Sequence, residues 1–245
     1  MPNQHQDYDA SAIAVLEGLE PVRKRPGMYI GGTGKEGLHH LVWEIVDNSV
    51  DEAINGYATT IRVTLEADGR TVTVTDNGRG IPIDIHPKVG RPALEVIFTT
   101  LHAGGKFDQG SYITSGGLHG VGSSVVNALS ESMVATVRRG GSEWRQTYAR
   151  GKVETDLVRV GPARGTGTRI QFTPDEEIFG DFVFDADAIF EHLEVSAFLN
   201  KGLRIVFKDE VGSRREDIKH DGGVVDFLMD SVSVDVDGVR RSLPA

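Results

Sequence analysis

The stretch from Met133 to Ala149 reads MVATVRRGGSEWRQTYA: two strand-like runs, Met133 to Arg139 and Glu143 to Ala149, joined at Gly140-Gly141. A glycine pair between such runs is a hairpin signal. Downstream, Val153 to Val160 and Thr168 to Thr173 read as further strands, followed by a helix over Ala186 to Leu199 and a strand over Leu203 to Lys208. The tail from Val211 is polar, with one short helical pattern from Gly223 to Met229. Upstream, a helix pattern over Ser123 to Leu129 opens directly behind a glycine-rich segment. Before that segment lie a helix from Arg91 to His102 and two alternating runs, Thr60 to Ala67 and Arg70 to Thr75, around an Asp68-Gly69 turn. A strong helix pattern covers Gly37 to Asn55 and stops at Gly56. A basic turn from Arg23 to Gly27 and an amphipathic helix over Ser11 to Leu19 precede it. Helices and strands do not alternate as βαβ units. The meander predicts an α+β, two-layer fold with a mixed, largely antiparallel sheet covered by helices.

The chain has 245 residues, enough for one large or two small domains with a core that needs no staples. With 39% hydrophobic and 25% charged residues it is not a disordered chain. It has no cysteine, which excludes disulfides, thiolate metal sites and cysteine nucleophiles. No apolar run approaches a membrane helix, and Met1 to Asp7 lacks the apolar centre of a secretory signal, so a cytoplasmic location is expected. The net charge is −10, which disfavours gripping a phosphate backbone unless the basic residues cluster. The composition holds 30 glycines with no repeating period, so their positions matter.

On a helical wheel, Leu38, Leu41, Val42, Ile45, Val46 and Ala53 form one apolar face of the helix over Gly37 to Asn55. Glu44, Asp47, Asn48, Asp51, Glu52 and Asn55 occupy the other side. Glu44, Asn48 and Glu52 stack along one edge at i, i+4 and i+8, and Glu52 falls close enough to the apolar face to be partly buried. One reading is a solvated face. Yet no Lys or Arg occurs between Lys35 and Arg62, and like charges at this spacing destabilise a helix. The other reading is a Mg²⁺ site, where hard oxygen donors are completed by waters and substrate phosphates. A carboxylate beside it could orient or deprotonate a water. His40, four residues before Glu44, can hydrogen-bond it or is a surface histidine.

Asp76-Asn77-Gly78-Arg79-Gly80-Ile81-Pro82 follows a strand directly. Asp76 could accept a hydrogen bond from an exocyclic amine, with Ile81-Pro82 as an apolar wall; the alternative is an Asx turn. Gly117-Leu118-His119-Gly120-Val121-Gly122 opens a helix, so the chain can wrap an anion towards which helical N–H groups point. It is not a Walker A loop, and its G-x-x-G-x-G spacing with no strand immediately before it is not a Rossmann fingerprint. Gly104-Gly105-Lys106 offers a cation for a terminal phosphate, or a surface lysine. Gly165-Thr166-Gly167-Thr168 puts a hydroxyl at a strand start, or is a hairpin turn. Together these features supply every part of an ATP·Mg²⁺ site.

Glu44-x3-Asn48, Asp76-x-Gly78-x-Gly80, Gly117-x2-Gly120-x-Gly122 and Thr166-Gly167-Thr168 resemble the four motifs of the GHKL (Bergerat-fold) ATPases. The words around them, among them Val22-Arg23-Lys24-Arg25-Pro26-Gly27-Met28-Tyr29 and Leu101-His102-Ala103-Gly104-Gly105-Lys106-Phe107, are similar to those of the ATPase subunits of bacterial type II topoisomerases, the gyrase B and ParE group. The resemblance runs from about residue 8 to about residue 210.

It implies a Bergerat-type fold and an ATP-hydrolysing domain that drives closure of a dimeric gate for DNA strand passage. The alternative it leaves is a nucleotide-gated dimerisation module with negligible turnover on its own. By the same resemblance, Glu44 is the general base, steadied by His40, and Asn48 is the Mg²⁺ ligand. Asp76 reads the adenine amino group with a water shared with Thr168. Glu52, Arg79, Gly80, Ile81 and Pro82 line the adenine pocket. Gly105, Lys106, Gly117 and the amides of Leu118, His119, Gly120, Val121 and Gly122 hold the phosphates. Tyr112 is expected near the adenine or ribose. Arg139 is expected at the rim, where family members are inhibited by aminocoumarins. Tyr8 lies in an arm that crosses to a second copy. Ile113 stands where relatives often carry a lysine.

The implied division is an arm over residues 1–15, an ATPase domain over 16–220 and, over 221–245, the cut-short start of a transducer domain or a tail. The implied partners are ATP, a second copy, a gyrase A or ParC-type subunit and DNA, with no membrane.

Overall fold

The computed structural model describes residues 16–103, 121–225, 234–236 and 239–241. In chain order the elements are α1 (Glu20–Lys24), α2 (Gly27–Ile30), α3 (Lys35–Ile54), β1 (Thr60–Leu65), β2 (Val72–Asp76), α4 (Ala93–Thr99), α5 (Gly122–Ala128), β3 (Ser130–Arg139), β4 (Ser142–Ala149), β5 (Lys152–Val153), β6 (Val158–Pro162), β7 (Gly167–Pro174), α6 (Glu176–Phe179), α7 (Ala186–Leu199), β8 (Arg204–Asp209) and β9 (Arg214–Lys219). Strands β10 (Val234–Val236) and β11 (Val239–Arg241) form a separate two-stranded sheet.

The other nine strands form one sheet in the order β5-β4-β3-β7-β2-β1-β8-β9, with β6 also on β4. Every pairing is antiparallel except that of β1 with β8. This is the mixed, largely antiparallel sheet expected of an α+β chain. Alternation sets its two faces: Ile61, Val63 and Leu65 of β1 are buried, while Arg62 between them is exposed. The β1–β2 hairpin turns on Asp68, whose Oδ1 accepts from the amides of Arg70 and Thr71, both at 2.9 Å.

Helices cover one face. Leu41, Val42, Ile45 and Val46 of α3, Val125 of α5 and Leu193 of α7 share a core with Val63, Val74, Phe172 and Phe207 of the sheet. Burying each such side chain contributes about 1.5–3 kcal/mol. Helices α3 and α7 are also tied at their starts. Asp185 caps α7 through the amides of Asp187 (3.0 Å) and Ala188 (3.3 Å) and takes Lys35 Nζ at 2.6 Å. The Asp185 amide donates to His39 Nε2 at 2.9 Å, so the neutral His39 ring donates from Nδ1 to the Lys35 carbonyl at 2.7 Å. No helix among the described residues is long and apolar enough to cross a membrane.

Four segments differ from the sequence reading. Of the helix expected over Ser11 to Leu19, residues 11–15 lie outside the described set and Leu16 to Leu19 are not helical. The helix starts at Glu20 instead, because Pro21 lacks an N–H and suits a first turn, and it takes in Arg23 and Lys24 of the expected basic turn. The run Val153 to Val160 is broken: between Val153 opposite Tyr148 and Val158 opposite Arg145, four residues face two on β4. Thr155 fills that gap, its Oγ1 accepting from the Thr147 amide at 3.0 Å and its carbonyl from Gln146 Nε2 at 3.2 Å. Helix α4 is shorter than Arg91 to His102, starting behind Pro92 and ending where Thr100 turns extended. The polar tail holds an edge strand, β9, and of the Gly223-to-Met229 helix only Val224 and Val225 are described as helical.

Candidate active site

Helix α3 presents its polar edge towards the loop after β2 and the start of α5. Glu44 lies at one end of that edge. Its Oε1 meets His40 Nε2 at 3.0 Å. That hydrogen bond raises the His40 pKa above its ordinary value, against the opposing effect of burial. The first residue of α5 packs on the same carboxylate: a Cβ on Gly122 would lie 1.9 Å from Glu44 Oε2 and 2.8 Å from its carboxyl carbon, so any larger residue there would displace the Glu44 side chain. One turn on, Asn48 Nδ2 donates to Ser123 Oγ at 3.1 Å, a second tie between α3 and α5. Among the described residues no group of three or more His, Asp or Glu could hold a metal alone. The amide oxygen of Asn48, beside the Glu44 carboxylate, does fit Mg²⁺, which takes one or two protein oxygens and fills its shell with water and phosphate.

Asp76 ends β2 beneath the next turn of α3 and is 5% exposed. Its Oδ1 accepts from the amides of Gly78 (2.8 Å) and Thr168 (3.2 Å). Its Oδ2 accepts from Ser49 Oγ at a longer 3.4 Å. Burial pushes the Asp76 pKa up, the two amide bonds oppose it, and the balance is upward. Thr168 Oγ1 accepts from the Ile81 amide at 3.2 Å, joining the β7 start to the Asp76 loop. The approach of those segments requires glycine at 167, where φ is +144° and a Cβ would lie 2.2 Å from the Asp76 carbonyl oxygen.

Glu52 is half-buried, as its wheel position predicts, and grips Arg79: Oε1 takes one guanidinium nitrogen at 2.6 Å and Oε2 takes Nε at 3.1 Å. The Arg79 guanidinium lies 3.6 Å over the Tyr57 ring. Arg139 donates to the Gly80 carbonyl at 2.7 Å, fixing the far side of the loop. Ile81 packs against the core and Pro82 is exposed.

The structure therefore brings together Glu44, His40, Asn48, Glu52, Asp76, Arg79, Gly80, Ile81, Pro82, Val121, Gly122, Arg139 and Thr168 around α3 and the Asp76 loop. Tyr8, Gly105, Lys106, Tyr112, Gly117, Leu118, His119 and Gly120 lie outside the described residues. Sequence reasoning missed Ser49, Ser123 and Tyr57. Ser123 had a signal in directly following Gly122; Ser49 and Tyr57 acquire their contacts only through tertiary approach. Asp51, placed on the polar side of the wheel, is 1% exposed, so that side is not a uniformly solvated face.

Residues 33–178 match the family described as histidine kinase-, DNA gyrase B-, and HSP90-like ATPase. The chain is 56% identical over 223 residues to the DNA gyrase B protein of Thermotoga maritima, covering 91% of this chain and 35% of that protein. It is 54% identical over 228 residues to the DNA gyrase B protein of Clostridium acetobutylicum, covering 93% of this chain and 36% of that one. The chain thus spans about a third of the length of the curated relatives it matches. A crystal structure of the 43K ATPase domain of Thermus thermophilus gyrase B in complex with an aminocoumarin superimposes with a TM-score of 0.79 at 49% identity. That match covers 87% of this chain and 54% of the other.

Proposed function

We propose that this chain, which belongs to the histidine kinase-, DNA gyrase B-, and HSP90-like ATPase family, binds ATP along the polar edge of α3 and hydrolyses it. The packing of Gly122 on the Glu44 carboxylate carries this reading. It holds a candidate base against the helix start that follows the phosphate-type glycine loop.

At the base end of the nucleotide, Asp76 Oδ1 is engaged by two amides, while among the described residues Oδ2 has only the longer Ser49 contact. Oδ2 is the acceptor for the adenine amino group. A carboxylate held away from water gains most from such a donor. Glu52 and Arg79, locked to each other, and Ile81 and Pro82 wall the base. At the other end Glu44 takes a proton from the attacking water as the new P–O bond forms at the γ-phosphorus and the bond to ADP breaks. His40 orients the Glu44 carboxylate. Asn48 would hold the Mg²⁺ ion, which when bound neutralises charge on the phosphates. Lys106 and the amides from Leu118 to Gly122 are proposed phosphate holders, and Tyr8 a closing residue from a second copy.

The wider reading is the ATPase component of a bacterial type II topoisomerase, cytoplasmic, acting with a second copy, a gyrase A or ParC-type subunit and DNA. The relatives' identity supports it. Its parts are an arm over 1–15, the ATPase domain over 16–220 and, over 221–245, residues of a transducer domain or a tail.

Glu44→Gln tests the chemistry. Turnover in a phosphate-release assay falls by about 100-fold or more, the usual share of a general base, while ATP affinity by calorimetry is retained. Wild-type turnover in that variant would overturn the assignment of the base.

A further inference from the structure

The face of the sheet that the helices leave open carries charge that the acidic composition conceals. The pairing register sets Arg62 of β1 opposite Thr75 of β2, Thr75 opposite Arg169 of β7, Arg169 opposite Thr136 of β3, and Thr136 opposite Arg145 of β4. These five residues form one row straight across the sheet. Their chain neighbours Ile61, Val63, Val74, Ile170, Ala135 and Gln146 are buried on the helix side, so the row faces away from the core. Arg62, Arg145 and Arg169 are all exposed.

Acidic residues do reach this face, and most already have partners. Asp217 pairs with Arg204, Lys208 with Glu210, and Lys219 with Asp221. Glu66 accepts from Thr73 and Gln171, and Glu143 stands opposite Arg138. Arg62, Arg145 and Arg169 make no salt bridge or side-chain hydrogen bond with any described residue; Arg62 only feels the field of Asp217. Three guanidiniums therefore stand in line, with threonine hydroxyls between them.

Strands lie about 4.8 Å apart, so successive arginines are about 10 Å apart and the row spans about 19 Å. Side chains as long as arginine can reach phosphates on both rims of a groove about 12 Å wide. Guanidinium and hydroxyl groups are the donors that phosphate oxygens take, without reading bases. The row contains no aromatic ring, so it lacks the stacking platform that single strands require. We infer that the open face of the sheet, along the Arg62–Arg169–Arg145 row, docks the backbone of duplex DNA independently of sequence. The inference stands on the register and charge of this face and does not depend on the nucleotide site.

The test is fluorescence anisotropy of a labelled 30-base-pair duplex of mixed sequence with the chain in a KCl series and no nucleotide. Binding at low salt is expected to weaken steeply as salt rises. The triple variant Arg62→Gln, Arg145→Gln, Arg169→Gln should bind at least about tenfold more weakly at the lowest salt. Its log-affinity against log-salt slope should be shallower by about 2 to 3, since each phosphate contact contributes about 0.9. The single change Arg169→Glu, at an exposed position, should weaken binding more than Arg169→Gln. ATP affinity in each variant reports that the fold is intact. An unchanged affinity and slope in the triple variant would overturn the inference, as would no duplex binding by the parent chain or tighter binding of a single strand of equal length.

Discussion

His40 and Glu44 sit one helical turn apart, and the hydrogen bond between them makes protonated His40 a stabilising group. Its folded pKa lies above the unfolded value of about 6.5. The stabilisation is therefore complete below about pH 6.5 and is lost as pH rises through the folded value. Urea unfolding should show His40→Gln destabilising the chain more at pH 6 than at pH 8.5; an equal effect at both would contradict the pairing. This contact was legible from the sequence, as were Asn48 and Glu52, because helical spacing alone puts residues four apart on one edge. Asp76 was legible from its place at a strand end before glycines. Ser49 was not: its bond to Asp76 joins a helix to a strand end 27 positions away, and no local pattern encodes that approach.

Asp175 shows what holds the elements in place. Its side chain is fully buried, caps α6 through the Glu177 amide at 3.1 Å, and accepts from Arg23 of α1 at 2.7 Å and from Arg150, after β4, at 2.8 Å. Burial alone would raise its pKa, but the hydrogen bonds from Arg150 and Arg23 overcome this and hold it low. Asp175→Asn keeps the volume and removes the charge, and should cost about 1–3 kcal/mol in urea unfolding. A loss within error of zero would mean that this junction is not stabilising. Sequence reading fared best on elements with a strong period. Helix α7 has the expected bounds, and α3 differs by two residues at its start and one at its end. It failed on β9, whose Arg-Arg-Glu-Asp-Ile-Lys run buries only Ile218 and so shows no alternation. It also merged β5 and β6, because a break of four residues opposite two leaves no mark in composition.

At the scale of the whole molecule, the net charge of −10 hides a separation. Carboxylates gather along the polar edge of α3, and arginines with no ion-pair partner among the described residues line the opposite side of the sheet. Composition alone pointed away from a phosphate-binding surface; the sheet register supplies the clustering that composition cannot express. Glycine is likewise divided by task. At 167 it permits a backbone approach that any side chain would block, at 122 it leaves room for the Glu44 carboxylate, and Gly140 and Gly141 turn a hairpin with open space around them. In the proposed site Asp76 reads the amino group of adenine at one end and Glu44 stands at the other. The most direct measurement is calorimetry of ATP and GTP binding to the parent chain and to Asp76→Asn. GTP presents a carbonyl where ATP presents that amine. The parent should prefer ATP by about tenfold or more, the effect of leaving a buried acceptor unpaired, and Asp76→Asn should weaken ATP binding and narrow the gap. Equal affinities of the parent for ATP and GTP, or an unchanged preference in Asp76→Asn, would contradict it.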